Sequence, residues 1–464
     1  MISGNLSIPL RYKVLSVFLV WGAAILFFLL RFDAYGLQEN AARGLMFVWS
    51  IIDGVAHPVV VLGAPDFRAL LFIPIGLLWT GNIAAAKILT LLILAAAGLF
   101  LYDWSSRSQD RESALIAIGL LMISPLAIAQ IDSIGSGPYL LLAAGLGYWL
   151  DKTYRADPRP LGGWYFSQMF LVGLSTSLHP AGLAYPVSLL WQWYRHPLDS
   201  KQQKHYYVGI AAIVTFVLLI RMGWSGLSWW QNPIPLLAMA ILGPSEELST
   251  LNWMMGGIVF VVLLFTLLSN LKKSMQDFTR RTFALGLLMG LASPDDSWAL
   301  LVLGFLLFVG VARFIQAHET IPVEGFMAKR GGVMALIFIV ATTFMVNDRA
   351  NYETRRLETL PERDSLIAAI TAQTKTDADA KKHVLVASEW PGRTMIACKC
   401  DVLPLPAPAK DPQTQLAMLK GVNYLMFDPR NPKNEILGRN IAYLGQATET
   451  LALQPAGVII RIRR

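Results

Sequence analysis

Gln38-Glu-Asn-Ala-Ala-Arg-Gly-Leu-Met-Phe-Val-Trp49 lies between two long apolar segments and belongs to neither. The first segment ends at Leu30 and the next begins near Asn82. Between them come Asp33, Glu39, His57-Pro58 and Pro65-Asp-Phe-Arg68, then a short apolar piece, Ala69 to Trp79. Crossing a bilayer takes roughly 20 apolar residues, so that piece is too short to span. The whole stretch reads as helices lying on the membrane surface. An acid-bearing loop there is where a membrane enzyme does chemistry at the lipid interface.

The rest of the chain supplies the membrane. Of its 464 residues 55% are hydrophobic and only 15% charged, and apolar runs of near-spanning length recur, so the class is polytopic membrane protein. Val14 to Leu30 follows Arg11 and Lys13 but is succeeded by Arg31, Phe32 and Asp33 without a cleavage pattern, which reads as an uncleaved helix. The formal charge of +8 collects in alternate loops. Arg107 and Arg111 share one, Lys152, Arg155 and Arg159 another, Arg195, Lys201 and Lys204 a third. Lys272, Lys273, Arg280 and Arg281 follow, then Arg313, Lys329 and Arg330. The loops around Asp132, His179-Pro180, Trp224 to Asn252 and Pro294 to Ser297 hold almost no Lys or Arg. Basic loops stay on the cytoplasmic side. Charge dispersed in this way is topological and forms no single basic patch, so it points to no nucleic-acid partner.

That orientation predicts about eleven crossings with the amino terminus cytoplasmic, since an even number would put a strongly basic loop on the wrong side. After the first helix come approximately Asn82–Tyr102, Ser113–Gln130, Ile134–Leu150, Trp164–Leu178, Ala181–Tyr194 and Tyr207–Arg221. Trp253–Ser269, Thr282–Ala292, Trp298–Ile315 and Gly331–Val346 complete the set. The Trp224–Asn252 loop carries Trp224, Trp229 and Trp230, suited to the headgroup level, and Pro233 to Leu242 reads as a second interfacial or re-entrant helix. The expected architecture is mainly α. A membrane bundle over residues 1–346 includes the outside loop 31–81, and residues 347–464 form a small α/β domain outside the membrane. In that domain His383–Ser388, Asn423–Phe427 and Gly457–Ile462 read as strands, with helices over Arg363–Thr371 and Gln413–Leu419. Cys398 and Cys400 face the oxidising side, which permits a disulfide. Their one-residue spacing makes a tight ring and is narrower than metal sites use, so two free thiols remain the alternative.

This order of parts resembles the GT-C superfamily of membrane glycosyltransferases, in particular bacterial enzymes related to the protein mannosyltransferases and aminoarabinose transferases. An uncleaved helix leads to an acidic outside loop with an interfacial helix. Next comes a short apolar piece, then a helix entered through Asn82-Ile-Ala-Ala-Ala-Lys87 and left through Tyr102-Asp-Trp-Ser-Ser-Arg107. Family members carry an acidic pair before the interfacial helix and an Ala-Arg two turns on; Gln38-Glu39 and Ala42-Arg43 stand in similar places. Lys87 resembles the basic residue that opens the family's next helix, and Ser124-Pro125 a recurring feature of the third. One departure is plain: the first acid position holds Gln38.

The resemblance implies transfer of a sugar from a polyprenyl-phosphate-linked donor to a lipid, glycan or protein acceptor at the bacterial inner membrane, among membrane lipids. Such a reaction needs a carboxylate to take the acceptor's proton and cations to hold the leaving phosphate. Glu39 is the first candidate base, although an acid at a helix start is also what the helix dipole favours. Asp33, at the membrane edge, is the second. Arg43, Arg68 and Lys87 are the phosphate-holding candidates, against the plain reading of interfacial side chains that snorkel. Asp295 and Asp296, in Pro294-Asp-Asp-Ser297, suit a cation or substrate contact, or simply end a helix pair; His179 before Pro180 has the same two readings. No cofactor is required, and a divalent cation is the one candidate. The Gly135-Ser-Gly137 run lacks phosphate-loop spacing. Two other classes fit the composition. A partner in envelope polysaccharide assembly that has lost the chemistry would suit Gln38, whereas a transporter is disfavoured by few intramembrane charges and no inverted repeat.

Overall fold

The computed structural model describes residues 39–53, 68–78, 83–108, 111–156, 162–197, 207–215, 232–242, 250–269, 275–320, 326–354, 360–379, 384–445, 447–454 and 457–463. The described residues fall into two compact units, one within Lys87–Asn351 and one formed by Ala34–Ala86 with Tyr352–Arg464. The first predicted helix (Val14–Leu30) and Asp33 lie outside the described residues.

Helix α1 (Glu39–Asp53) is amphipathic, burying Ala42, Leu45, Met46, Val48 and Trp49. That spacing puts the apolar side chains on one stripe. They pack on α2 (Arg68–Leu78), which buries Ala69 and Phe72 while Leu70, Leu77 and Leu78 stay exposed. A helix of 11 residues is too short to span a bilayer, although it is apolar on both sides.

The helical unit is carried by α3 (Ile83–Ser108), α4 (Arg111–Met122), α5 (Pro125–Asp132), α6 (Gly137–Ala156) and α7 (Gly162–Leu178). A 3-10 turn (Pro180–Leu183), α8 (Ala184–Arg195), a helical stretch at 207–215, α9 (Pro233–Leu242), α10 (Thr250–Leu268) and α11 (Phe278–Gly290) follow. Next are α12 (Asp296–Phe305), a π-helical turn (Leu306–Gly310), α13 (Val311–Thr320) and α14 (Phe326–Thr354). Trp104, Tyr139, Tyr185, Trp193, Phe283, Trp298 and Phe305 fill its core. Among the described residues three helices are long and apolar enough to cross a membrane: Ile83–Arg107, Thr250–Leu268 and Asp296–Gln316. The predicted third helix is not continuous. It breaks into α4 and α5 with a 53° bend, because Pro125 lacks an N–H and steers Ser124 out of the helical region. Ser124 then caps α5, its Oγ accepting from Ala127 N at 3.2 Å.

α10 shows the solvent the unit needs. It buries only Gly256, Val259, Leu263 and Thr266 and exposes Met254, Val261, Phe265 and Leu268. So large an apolar face is stable against lipid tails and costly in water. Gly256 lets α9 lie directly on α10: a Cβ there would stand 1.9 Å from the Ile234 carbonyl oxygen.

After α15 (Leu360–Asp379) comes a five-stranded sheet in the order β2-β1-β3-β5-β4. The strands are β1 (Leu385–Ser388), β2 (Asp401–Pro404), β3 (Tyr424–Phe427), β4 (Thr448–Gln454) and β5 (Gly457–Ile462). β1 pairs parallel with β2 and β3; β5 runs antiparallel to β3 and β4. Helices α16 (Pro391–Cys398), α17 (Pro412–Met418) and α18 (Glu435–Tyr443) make the connections. The predicted strands are β1, β3 and β5, and the predicted helices are α15 and α17. The sheet core collects Leu425, Phe427, Leu437, Ile441, Val458 and Ile460. Cys398 and Cys400 are joined as a disulfide around Lys399, whose φ of 52° turns the chain back. Helix α16 packs on α1, which ties the first loop into this unit.

Candidate active site

Three turns that the charge pattern puts on one face meet at one end of the helical unit. The first is the α5–α6 turn. Asp132 ends α5, and its carboxylate stands 4.0 Å from the Lys87 ammonium; both side chains are at most 6% exposed. A buried charge survives only with a partner, and here each supplies the other's. Ile134 follows at φ 53°, fully buried. A β-branched residue in the left-handed region is strained, and such strain concentrates where a fold holds a functional turn in place.

Ser136 carries the connection onward. Its hydroxyl donates to Ser297 Oγ at 2.6 Å, and Ser297 donates to Gln130 Oε1 at 3.3 Å. Gln130 Oε1 also accepts from Gly137 N at 3.1 Å. The second turn, Ser293 to Ser297, is thereby fastened to the first. Asp295 caps α12, accepting from Trp298 N at 2.9 Å, and Asp296 opens that helix half-buried.

His179 brings in the third turn. Its Nδ1 accepts from Ala181 N at 3.1 Å, so the proton of the neutral ring sits on Nε2. Nε2–H donates to the Ser293 carbonyl at 2.7 Å and lies 3.4 Å from Asp295 Oδ1. The turn is tight: a Cβ on Gly182 would fall 1.7 Å from the Ser175 carbonyl oxygen. His179 and Asp295 thus have the structural roles of cap and strut, and the ring fixes where the carboxylate points.

Lys87, His179, Asp295 and Asp296 belong to the helical unit, and His179 and Asp295 are in contact. Arg68 opens α2 in the other unit and is 4% exposed. Glu39 and Arg43 lie on α1 with their side chains outside the description, and Asp33 lies outside the described residues. Sequence reasoning missed Asp132, although an ionisable residue ending an apolar helix is a functional signal in a membrane chain. Gln130 and Ser297 carried no signal, because their partners are remote in sequence. For the candidate divalent cation, no three His, Cys, Asp or Glu among the described residues form a metal-binding group. The Asp132 carboxylate is paired with the Lys87 ammonium at 4.0 Å.

No protein-family model matches the sequence, and no curated protein does either. Solved structures do. ArnT from Cupriavidus metallidurans in the apo state superposes with a TM-score of 0.57 over 96% of this chain and 97% of its own, at 11% identity. The fold is that of the GT-C glycosyltransferases. The same ArnT bound to undecaprenyl phosphate gives 0.52 over 97% of both chains, at 11% identity. The oligosaccharyltransferase AglB from Archaeoglobus fulgidus, in complex with an inhibitory peptide and a dolichol-phosphate, gives 0.58 over 90% of this chain and 69% of its own, at 10% identity. This fold and the apolar helices mark a membrane-embedded protein.

Proposed function

We propose that the chain is a membrane glycosyltransferase that moves a sugar from a polyprenyl-phosphate-linked donor to an envelope lipid, glycan or protein. The observation that carries this reading is a GT-C fold over nearly the full length of both chains, with a buried cation, Lys87, near the head of the helix after the first loop. Glu39, with Asp33 as the second candidate, takes the proton from the acceptor hydroxyl. Lys87, Arg43 and Arg68 hold the phosphate that leaves when the glycosidic bond to the lipid breaks. Asp132, 4.0 Å away, offsets the buried charge of Lys87. His179, Asp295 and Asp296 shape the neighbouring turn, where Asp295 and Asp296 contact substrate or a divalent cation. The proposed setting is a bacterial inner membrane, with the amino terminus cytoplasmic and residues 347–464 on the outer side.

The test is transfer from a radiolabelled polyprenyl-phosphate sugar by the purified protein. Glu39→Gln and Asp33→Asn are expected to leave the fold intact, and at least one to lower transfer by the 10²–10⁴-fold (roughly) typical of lost general-base catalysis. Wild-type rates in both would remove the proposed base. A second reading rests on Gln38, which stands where relatives of the resemblance carry an acid: a GT-C fold that assists envelope polysaccharide assembly without chemistry. Donor binding without turnover by the wild-type chain would favour it.

A further inference from the structure

Two arginines meet at the end of α8 remote from His179. A cleft of about 450 Å³ opens between the end of α8 and the start of α11, lined by Trp191, Gln192, Arg195, His196, Gln276 and Arg281. Arg281 is 1% exposed, a large cost for a guanidinium. Its terminal nitrogens donate to three neutral oxygens: Met275 O at 2.9 Å, Ser188 O at 3.0 Å and Gln192 Oε1 at 3.1 Å. Its Nε has no hydrogen-bond partner among the described residues. No carboxylate among them lies within ion-pair distance of Arg281 or Arg195. The neighbouring acids hydrogen-bond other groups, Asp151 to Arg155 at 2.8 Å and Asp277 to Trp104 Nε1 at 3.0 Å and to Arg280 N at 2.9 Å, and act on Arg281 only through longer-range charge attraction. Arg195, exposed at the mouth, lies 5.4 Å above the Trp191 ring. Among the described residues the cleft's lining thus holds two arginines, one of them buried, and no carboxylate.

We infer that this cleft binds a phosphate anion, and that its source is the headgroup of an anionic phospholipid in the leaflet bordering the basic loops. Phosphate matches a guanidinium pair because it accepts several charge-assisted hydrogen bonds at once. Lipid is favoured over a free ion by the rim: Trp191 and Tyr194 are exposed there, and aromatic side chains of this kind sit at headgroup level. The attraction of basic residues next to the membrane to anionic lipid supplies the long-range part. This site is independent of the transfer reaction and uses none of its residues.

The experiment follows thermal unfolding of the full chain in detergent while phosphatidylglycerol, phosphatidylcholine or inorganic phosphate is titrated in. Phosphatidylglycerol is expected to raise the melting temperature at about tenfold lower concentration than phosphatidylcholine, the factor that one charge-assisted hydrogen bond commands. Arg195→Gln, at an exposed position, is expected to fold normally and lose that preference; Arg281→Gln should lose it as well, with a lower starting stability. Lys152→Gln makes the same charge change on the same face outside the cleft and should keep the response. Equal stabilisation by the two lipids, or an unchanged preference in Arg195→Gln, would overturn the proposal. Stabilisation by millimolar inorganic phosphate that disappears in Arg195→Gln would uphold the anion site and overturn its assignment to lipid.

Discussion

At the residue scale the buried pair Lys87 and Asp132 makes the sharpest claim. Removing one member leaves an uncompensated buried charge, which costs about 3–5 kcal/mol, whereas replacing both with apolar residues can be nearly neutral. Lys87→Met is therefore expected to destabilise the protein strongly, and Lys87→Met with Asp132→Leu much less, as read by thermal unfolding in detergent. Both should lose transfer, because the phosphate loses one of its proposed cations in either case. Asp411, in the sheet-bearing unit, gives a pH-dependent counterpart. Its carboxylate caps α17, accepting from Thr414 N at 2.9 Å and Thr414 Oγ1 at 2.7 Å, and these bonds hold its pKa below the usual carboxylate value. A depressed folded-state pKa gives stability that is complete above the unfolded value, about 3.9, and lost as pH falls through the folded value. Amide protection over Pro412–Met418, compared with Asp411→Asn, should shrink through that acid range and stay constant near neutrality. As for legibility, the sequence shows His179 and Asp295 as lone polar residues in non-basic turns, but not that they touch. The hydrogen bond from His179 to Ser293 spans 114 positions, and only the packing of α7, α11 and α12 closes that distance.

At the element scale, local chemistry explains what was readable. Pro233 opens α9 and an apolar run carries it to Leu242, which the structure keeps residue for residue. β1, β3 and β5 are apolar runs between turn residues, as buried strands should be. β2 (Asp-Val-Leu-Pro) and the edge strand β4 escaped because four residues ending in Pro, or a polar run such as Thr448-Glu-Thr, show no strand periodicity and form only against a neighbour already in place. The α4–α5 break was visible as Ser124-Pro125 but was read as helix interior, since apolar residues continue on both sides. Close helix contact is likewise invisible until the partner backbone is placed. Gly256→Val would push a side chain into the Ile234 carbonyl and force α9 away from α10. The expected loss is at least the ~1–3 kcal/mol of an overpacked core, read as a lower melting temperature. Gly257, where an added Cβ would meet nothing within 4 Å, should accept Ala with little change.

At the scale of the whole molecule, the grouping of the first loop with the carboxy-terminal domain is what sequence reading could not supply. Charge and hydropathy assign both to one side of a membrane, but nothing in either segment announces its partner. The apolar stripe of α1 meets α2 on one side and α16 on the other, and α16 is held at its end by the Cys398–Cys400 bridge. The helix that bears the candidate base Glu39 therefore takes part of its packing from residues more than 330 positions away. A chain ending at Asn351 keeps every residue proposed to react, yet α1 loses its α16 neighbour. Its amphipathic stripe then depends on α2 alone, and a helix of 15 residues is marginal without tertiary packing. Faster amide exchange over Glu39–Asp53 is expected in that shortened protein, together with loss of sugar transfer, while the Lys87–Asn351 unit retains its protection. Reducing the disulfide in the full chain should have a smaller effect in the same direction, because so short a loop contributes less than about 2 kcal/mol. If α1 exchanges as slowly in the shortened chain as in the whole one, its packing on α16 contributes nothing to the first loop.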